Sequence, residues 1–288
     1  MDKTQYGKLL AEIGGGGEIT GLECHESQLQ AENDVIAAIE REFGMLLLFG
    51  DALKQFYVDT IRAFSSKLSP LNSQMTMFCF HWHIVSCTRY RAAFDLWKKG
   101  YYFEAATLSR TLWETALTLA GLEKGIVTIE AMFGGKIEDG IKKSADETIS
   151  LIKEADKAIQ SALIWKNPNL SSAARSAVNT LQQMMNQATH KSNLGITSNL
   201  SKQLKGESIP ILTRFDPQLV GMSWNILQCS MWPLMATVAY LEQLRPHEEQ
   251  LWDSRYEKLL AVFDETNKSS SIEIARGFRE VVQTVFVR

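Results

Sequence analysis

The stretch from Phe103 to Leu122, FEAATLSRTLWETALTLAGL, constrains this chain more than any other. Its spacing predicts a helix, and after Glu104 it holds only two charged residues, Arg110 and Glu114. Residues four apart stack on one side of a helix. The rest of that side is threonine: Thr107, Thr111, Thr115 and Thr118. A helix without a solvated charged face is expected to be buried nearly all round. Buried charges must be paired, and a guanidinium has more N–H donors than one carboxylate can satisfy. Other acceptors are therefore expected to converge on Arg110. The pair is either a structural clamp or part of a site, since perturbed ionisable groups gather at both.

The remainder of the chain is read as helix too. Six prolines in 288 residues leave room for long 3.6-period patterns, and no alternating apolar–polar run signals a sheet. The expected fold class is all-α, a multi-helix bundle around a central antiparallel helical hairpin at about 73–99 and 102–124. Further helices are expected at about 27–43, 46–67, 137–164, 171–191, 217–244, 247–265 and 271–285. Ser27 and Ser171 are expected as N-caps, Gly100 as a helix stop after Lys98-Lys99, and Asp216-Pro217 as a helix start. Pro233 should kink its helix and Pro246 should end it. The glycine run Gly14–Gly17 lacks the residues of a phosphate loop. It marks residues 1–26 as a flexible N-terminal segment ahead of a bundle domain at 27–265. Residues 266–288 are expected to form a C-terminal helix packed on the bundle. The stretch 192–215 is the longest irregular one, either a functional loop or a disordered excursion. The dense charges of 137–164 (Lys142, Lys143, Glu147, Lys153, Glu154, Asp156, Lys157) place that helix on the outside.

Composition excludes several classes. A net charge of −3 gives no general affinity for nucleic acid or anionic membrane. Four scattered cysteines (Cys24, Cys79, Cys87, Cys229) do not make a disulfide framework, which points to a reducing, cytoplasmic setting. No apolar leader occupies the first twenty residues, and apolar runs stop short of the roughly 20 residues that span a bilayer. No membrane association is expected.

Two further constellations bear on function. His190 ends the run Met184-Met185-Asn186-Gln187-Ala188-Thr189-His190. It is either a histidine favoured by a helix C-terminus or, with Asn186 four residues earlier, part of a surface facing the Arg110/Glu114 pair. The run Cys79-Phe80-His81-Trp82-His83 with Cys87 resembles a zinc site in composition only. Cys79 and Cys87 lie eight residues apart, roughly 12 Å at helical rise, too far to share one tetrahedral ion. His81 points to the opposite side of the helix. No metal and no cofactor are expected. The aromatics Trp82, Phe94, Trp97, Tyr101, Tyr102 and Phe103 read as core and hairpin packing. Met222, Trp224, Met231, Trp232 and Met235 read as core or as a dimer seam.

The run EAATLSRTLWETA followed later by NQATH resembles a bacterial family of helical proteins without an assigned activity. Its members share an R-x-x-x-E helix, here Arg110 and Glu114, and a downstream Ser/Thr–His motif, here Thr189 and His190. The resemblance covers about residues 75–245 and implies a fold more than a function. More distantly the chain resembles the HEPN superfamily, many of whose members are dimeric, metal-independent ribonucleases of toxin and phage-defence systems. Their motif is Arg-x(4–6)-His, and none of His25, His81, His83, His190 or His247 has an arginine at that spacing. The enzyme reading therefore requires Arg110 and His190 to meet in space.

The leading expectation is a binding or regulatory module, part of a bacterial defence or toxin–antitoxin type system. Its polar pocket of Arg110, Glu114, Asn186 and His190 would receive a small ligand or a protein partner, in a homodimer. The alternatives are a HEPN-like ribonuclease, with His190 as acid/base and Arg110 and Glu114 beside it, and a polar cluster that only sets helix register.

Overall fold

The computed structural model describes residues 21–65, 74–135, 144–189, 215–224, 226–227, 258, 261 and 272–286. Within the described residues there are helices and turns but no strand, so the all-α reading holds. None of these helices is long and apolar enough to cross a membrane. Helix α1 spans Gly21–Ser65, α2 Gln74–Lys98, α3 Tyr102–Glu123, α4 Ile129–Phe133 and α5 Ala145–Gln160. Helix α6 spans Ser172–Thr189, α7 covers 217–224, and α8 spans Ile272–Val281. Helices α5 and α8 each run on into a π-helical turn, Ser161–Trp165 and Val282–Phe286.

The two helices expected at 27–43 and 46–67 are one element bent at Phe43, whose φ of −131° and ψ of 26° leave the helical region. The bend immediately precedes Gly44, where helix propensity is lowest. Ser27 lies inside this helix, which already runs from Gly21, and so it is not an N-cap. Three other expected boundaries are made as the residues suggest. Gly100 takes φ 87°, and the Tyr101 N–H reaches back to the Leu96 carbonyl at 2.9 Å, closing α2 in a left-handed cap. Ser171 Oγ accepts from the Ala174 N–H at 3.1 Å. Asp216 Oδ1 accepts from the N–H groups of Gln218 and Leu219 at 3.0 and 3.2 Å. The segment expected as one helix over 137–164 begins instead at Ser144, which makes a full capping box with Glu147. Before it stands α4, which the sequence reading did not anticipate, capped by Thr128 and ended by Gly134 in the left-handed region. The expected glycine-tract flexibility, the Pro233 kink, the end at Pro246 and the 192–214 loop lie outside the described residues, as do most of the helices expected at 217–244 and 247–265.

Helices α2 and α3 form the expected antiparallel hairpin, with α1 against α2 and with α5 and α6 against α3. Helix α2 turns Phe80, His83, Cys87, Tyr90, Phe94 and Trp97 into the core, an alternating three–four spacing that keeps one seam inward. Its other side carries His81, Ile84, Val85, Thr88, Arg91 and Ala92 in the open, so its sparse charge does not mean burial all round. Trp97 is fully buried beside Trp224, with ring centroids 4.9 Å apart, and donates from Nε1 to the Val220 carbonyl at 3.1 Å. Trp224, Phe94 and Tyr102 are buried as expected, whereas Trp82, Tyr101, Phe103 and Met222 are only half-buried. Tyr101 instead ties the hairpin to α1. Its hydroxyl donates to Glu32 at 2.9 Å, and Lys99 pairs with the same carboxylate at 3.0 Å. Those partners hold the Glu32 carboxyl below its ordinary range, Lys99 foremost.

The C-terminal helix α8 packs along α6, consistent with the expected docking of that segment. Its Glu280 accepts from both the N–H and the hydroxyl of Ser171, at 2.6 and 2.7 Å, which binds it to the start of α6 and holds its carboxyl low. Close approach is made possible by Gly277. A Cβ there would stand 2.8 Å from the Ala173 carbonyl oxygen. Gly277→Ala is therefore expected to destabilise the fold by about 1–3 kcal/mol, because the obstacle is backbone. Gly44→Ala, with nothing within 4 Å of its added methyl, is expected to stabilise by about 0.5–1 kcal/mol. Chemical denaturation of the two variants gives shifts of opposite sign; shifts of the same sign would contradict this packing.

Candidate functional site

Helix α3 is the most enclosed element, with every residue from Thr115 to Leu122 buried. One stripe escapes: Phe103, Glu104, Thr107, Leu108, Arg110, Thr111 and Glu114 are half-buried or exposed. Arg110 and Glu114 lie on it, their side chains 29% and 41% exposed. This corrects the expectation that the pair is sequestered from water. The threonines that suggested a dry face satisfy themselves. Thr107 donates to the Phe103 carbonyl, Thr111 to Leu108, Thr115 to Thr111 and Thr118 to Glu114, at 2.7–3.0 Å. A hydroxyl bonded back to its own helix needs no further partner, so it tolerates either environment. Nor do these oxygens converge on the guanidinium.

The pair itself is made. Arg110 Nε donates to Glu114 Oε1 at 2.7 Å. At this exposure an i,i+4 pair contributes about 0.3–0.5 kcal/mol, far from a structural clamp. The contact uses the side of the guanidinium. Among the described residues its two terminal nitrogens have no partner, and neither does Glu114 Oε2.

Both side chains line a cavity of about 170 Å³ where α3, α5 and α6 meet. Its walls are Arg110, Trp113 and Glu114 from α3, Gln160 from α5, and Gln182, Met185 and Asn186 from α6. Trp113 and Met185 are core residues that hold the floor, 1% and 2% exposed. Gln182 Nε2 donates to Gln160 Oε1 at 3.2 Å, linking α5 to α6 across the cavity. Asn186 stands at the rim, exposed. The expected meeting of Arg110, Glu114 and Asn186 is thus found. His190, expected beside them, lies outside the described residues.

The sequence reading missed Gln160, Gln182 and Met185 as wall residues. A signal existed: Gln160 follows Ala155 and Ile159, and Gln182 sits beside Leu181 and Met185, so each amide borders an apolar stripe of its helix. Asp156 was placed with the solvated charges of α5. Its neighbours Lys153, Glu154 and Lys157 are exposed as expected, but Asp156 is half-buried, one helical turn from Gln160. Burial first, and then the charge of Glu114, push its carboxyl up to about 6.

The cysteine–histidine cluster is divided between the two sides of α2. His83 is fully buried and its Nδ1 lies 2.8 Å from the Tyr57 hydroxyl. Burial lowers the His83 imidazole to about 4 and keeps it neutral, so the ring tautomer sets which of the two groups donates. Cys87 is buried and Cys79 half-buried, both as free thiols, and burial pushes Cys79 up to about 11. His81 is exposed and its Nδ1 lies 2.7 Å from the Met77 carbonyl. Among the described residues no three His, Cys, Asp or Glu side chains are placed to hold one metal ion.

Compared with known proteins, the chain matches no family model, no curated protein and no solved structure.

Proposed function

We propose that this chain is a binding or regulatory module whose three-helix pocket receives a small polar ligand. One observation carries the reading. A charged pair of a largely buried helix opens onto a cavity with hydrogen-bonding groups left over, where a register-setting network would be closed. Arg110 supplies charge and planar donors, Glu114 orients it, and the amides of Gln160, Gln182 and Asn186 supply both donors and acceptors. His190 is proposed to tune the response to pH. A cytoplasmic homodimer, in the setting of bacterial defence that the resemblance implies, is part of the same proposal.

The test is a thermal-shift screen of small polar metabolites. Some are expected to raise the melting temperature saturably, and Arg110→Gln and Gln182→Ala are expected to remove that shift while leaving the unliganded protein folded. A screen in which nothing shifts the wild-type protein would end the reading. Cleavage of RNA in the presence of chelator, lost in His190→Ala, would replace it with the HEPN-like ribonuclease.

A further inference from the structure

The chemistry left open on the cavity wall narrows what the pocket can accept, on the premise that it is a ligand site at all. Arg110 is held to Glu114 through Nε. The end-on fork of the guanidinium, with its two parallel N–H groups, is the geometry that takes a carboxylate in bidentate fashion. That fork has no partner among the described residues. The second oxygen of Glu114 is likewise unpaired, and an unpaired carboxylate oxygen calls for a donor, best a charged one. Since the two side chains touch at 2.7 Å, the groups that complement them must be only a few bonds apart on the ligand.

Charge decides between the simple classes. Arg110 and Glu114 cancel, and Asp156 one turn from Gln160 makes the surroundings negative rather than positive. Lys153 and Lys157 on the same helix are exposed. A plain anion would gain the fork but lie against Glu114 on the wall, with Asp156 one helical turn from Gln160. A plain cation would gain Glu114 but leave the fork empty. A molecule bearing both charges side by side satisfies both members of the pair and adds no net charge. The bonded amides fit the same ligand: both residues line the cavity, and the link from Gln182 uses the Gln160 oxygen and the Gln182 NH2, which leaves the Gln160 NH2 as a donor and Gln182 Oε1 as an acceptor.

We propose that the pocket binds a small zwitterion of the α-amino acid type, its carboxylate on the free fork of Arg110 and its ammonium on the free oxygen of Glu114.

The experiment is a thermal-shift and calorimetric titration of the full chain with glycine, L-alanine and L-glutamine. Acetate and methylammonium serve as the isolated halves at the same concentrations. At least one amino acid is expected to bind saturably, with neither half reproducing it. Arg110→Lys, which keeps the charge and loses the fork, is expected to weaken binding at least tenfold. Glu114→Gln is expected to do the same, both variants melting near wild type because the pair is half-exposed. Full binding of acetate that survives Glu114→Gln would make the pocket an oxyanion site and overturn the zwitterion. No shift with any amino acid, alongside an Arg110-dependent shift from another compound of the metabolite screen, would overturn the ligand class and leave the pocket standing. No shift with any compound at all would overturn both.

Discussion

Trp113→Ala is expected to cost about 3–5 kcal/mol of stability, the range for emptying a large aromatic site from a packed core. Trp113 is 1% exposed and sits midway along α3. Its ring meets Phe278 of α8 at 5.6 Å between centroids and Phe286 at 5.9 Å. Its loss therefore removes both the floor of the cavity and the surface on which the C-terminal helix rests. The indole N–H, meanwhile, is buried without a hydrogen-bond partner among the described residues. Such a donor costs about 1–3 kcal/mol. Trp113→Phe gives up ring volume but also removes that orphaned donor, so its net cost is expected to be well under half that of alanine. Urea denaturation of both variants measures the difference. Equal losses would mean that Trp113 acts through its N–H rather than its volume.

Acidification is expected to produce the second large effect, through two groups of opposite sign. Burial holds the His83 imidazole at about 4 against an ordinary 6.5. Below pH 6.5 the unfolded chain takes up a proton that the folded chain refuses, so stability falls until about pH 4. The loss is about 3 kcal/mol at 1.4 kcal/mol per pH unit. Asp156 behaves the other way. With its carboxyl raised to about 6 from an ordinary 3.8, the folded chain binds the proton first, and stability rises over nearly the same window. That gain is smaller than the shift implies, because the carboxyl is partly open to water. The wild-type profile between pH 6 and 4 is therefore a partial cancellation. Asp156→Asn is expected to be more stable than wild type at pH 7, where it removes a partly buried charge and its repulsion from Glu114, and to lose stability more steeply as pH falls to 4. From about pH 4.5 downward the depressed carboxyls of Glu32 and Glu280 also lose their stabilisation, and both proteins weaken alike. An unchanged slope in Asp156→Asn would mean that neither burial nor Glu114 raises the Asp156 carboxyl.

The parts of this fold that were legible are those decided within about one helical turn. Gly100 ends α2, Ser171 and Asp216 start their helices, and the 3.6 spacing of 74–98 and 102–123 gives the hairpin. Helix α4 was missed because five residues are too few for a period to register, although Thr128 and Gly134 bracket it with ordinary caps. The site was half legible. Arg110, Glu114 and Asn186 do share one cavity, but Gln160 and Gln182 come from helices whose pairing with α3 is a matter of tertiary register. The burial of Arg110 was misjudged for a definite reason. Scarcity of charge around the pair predicts a dry face, whereas Thr107 and Thr111 can face water while bonding their own helix.

The partial exposure of Arg110 and Glu114 can be tested directly. A half-exposed pair facing a cavity contributes little to folding, whereas a sequestered one leaves a buried charge when broken. Equilibrium denaturation of Arg110→Ala beside wild type separates the two. Loss of under about 1 kcal/mol, with a cooperative transition, is the expected result. A loss of about 3–5 kcal/mol, or aggregation, would mean that the guanidinium is a buried structural clamp and that the cavity beside it is no binding site.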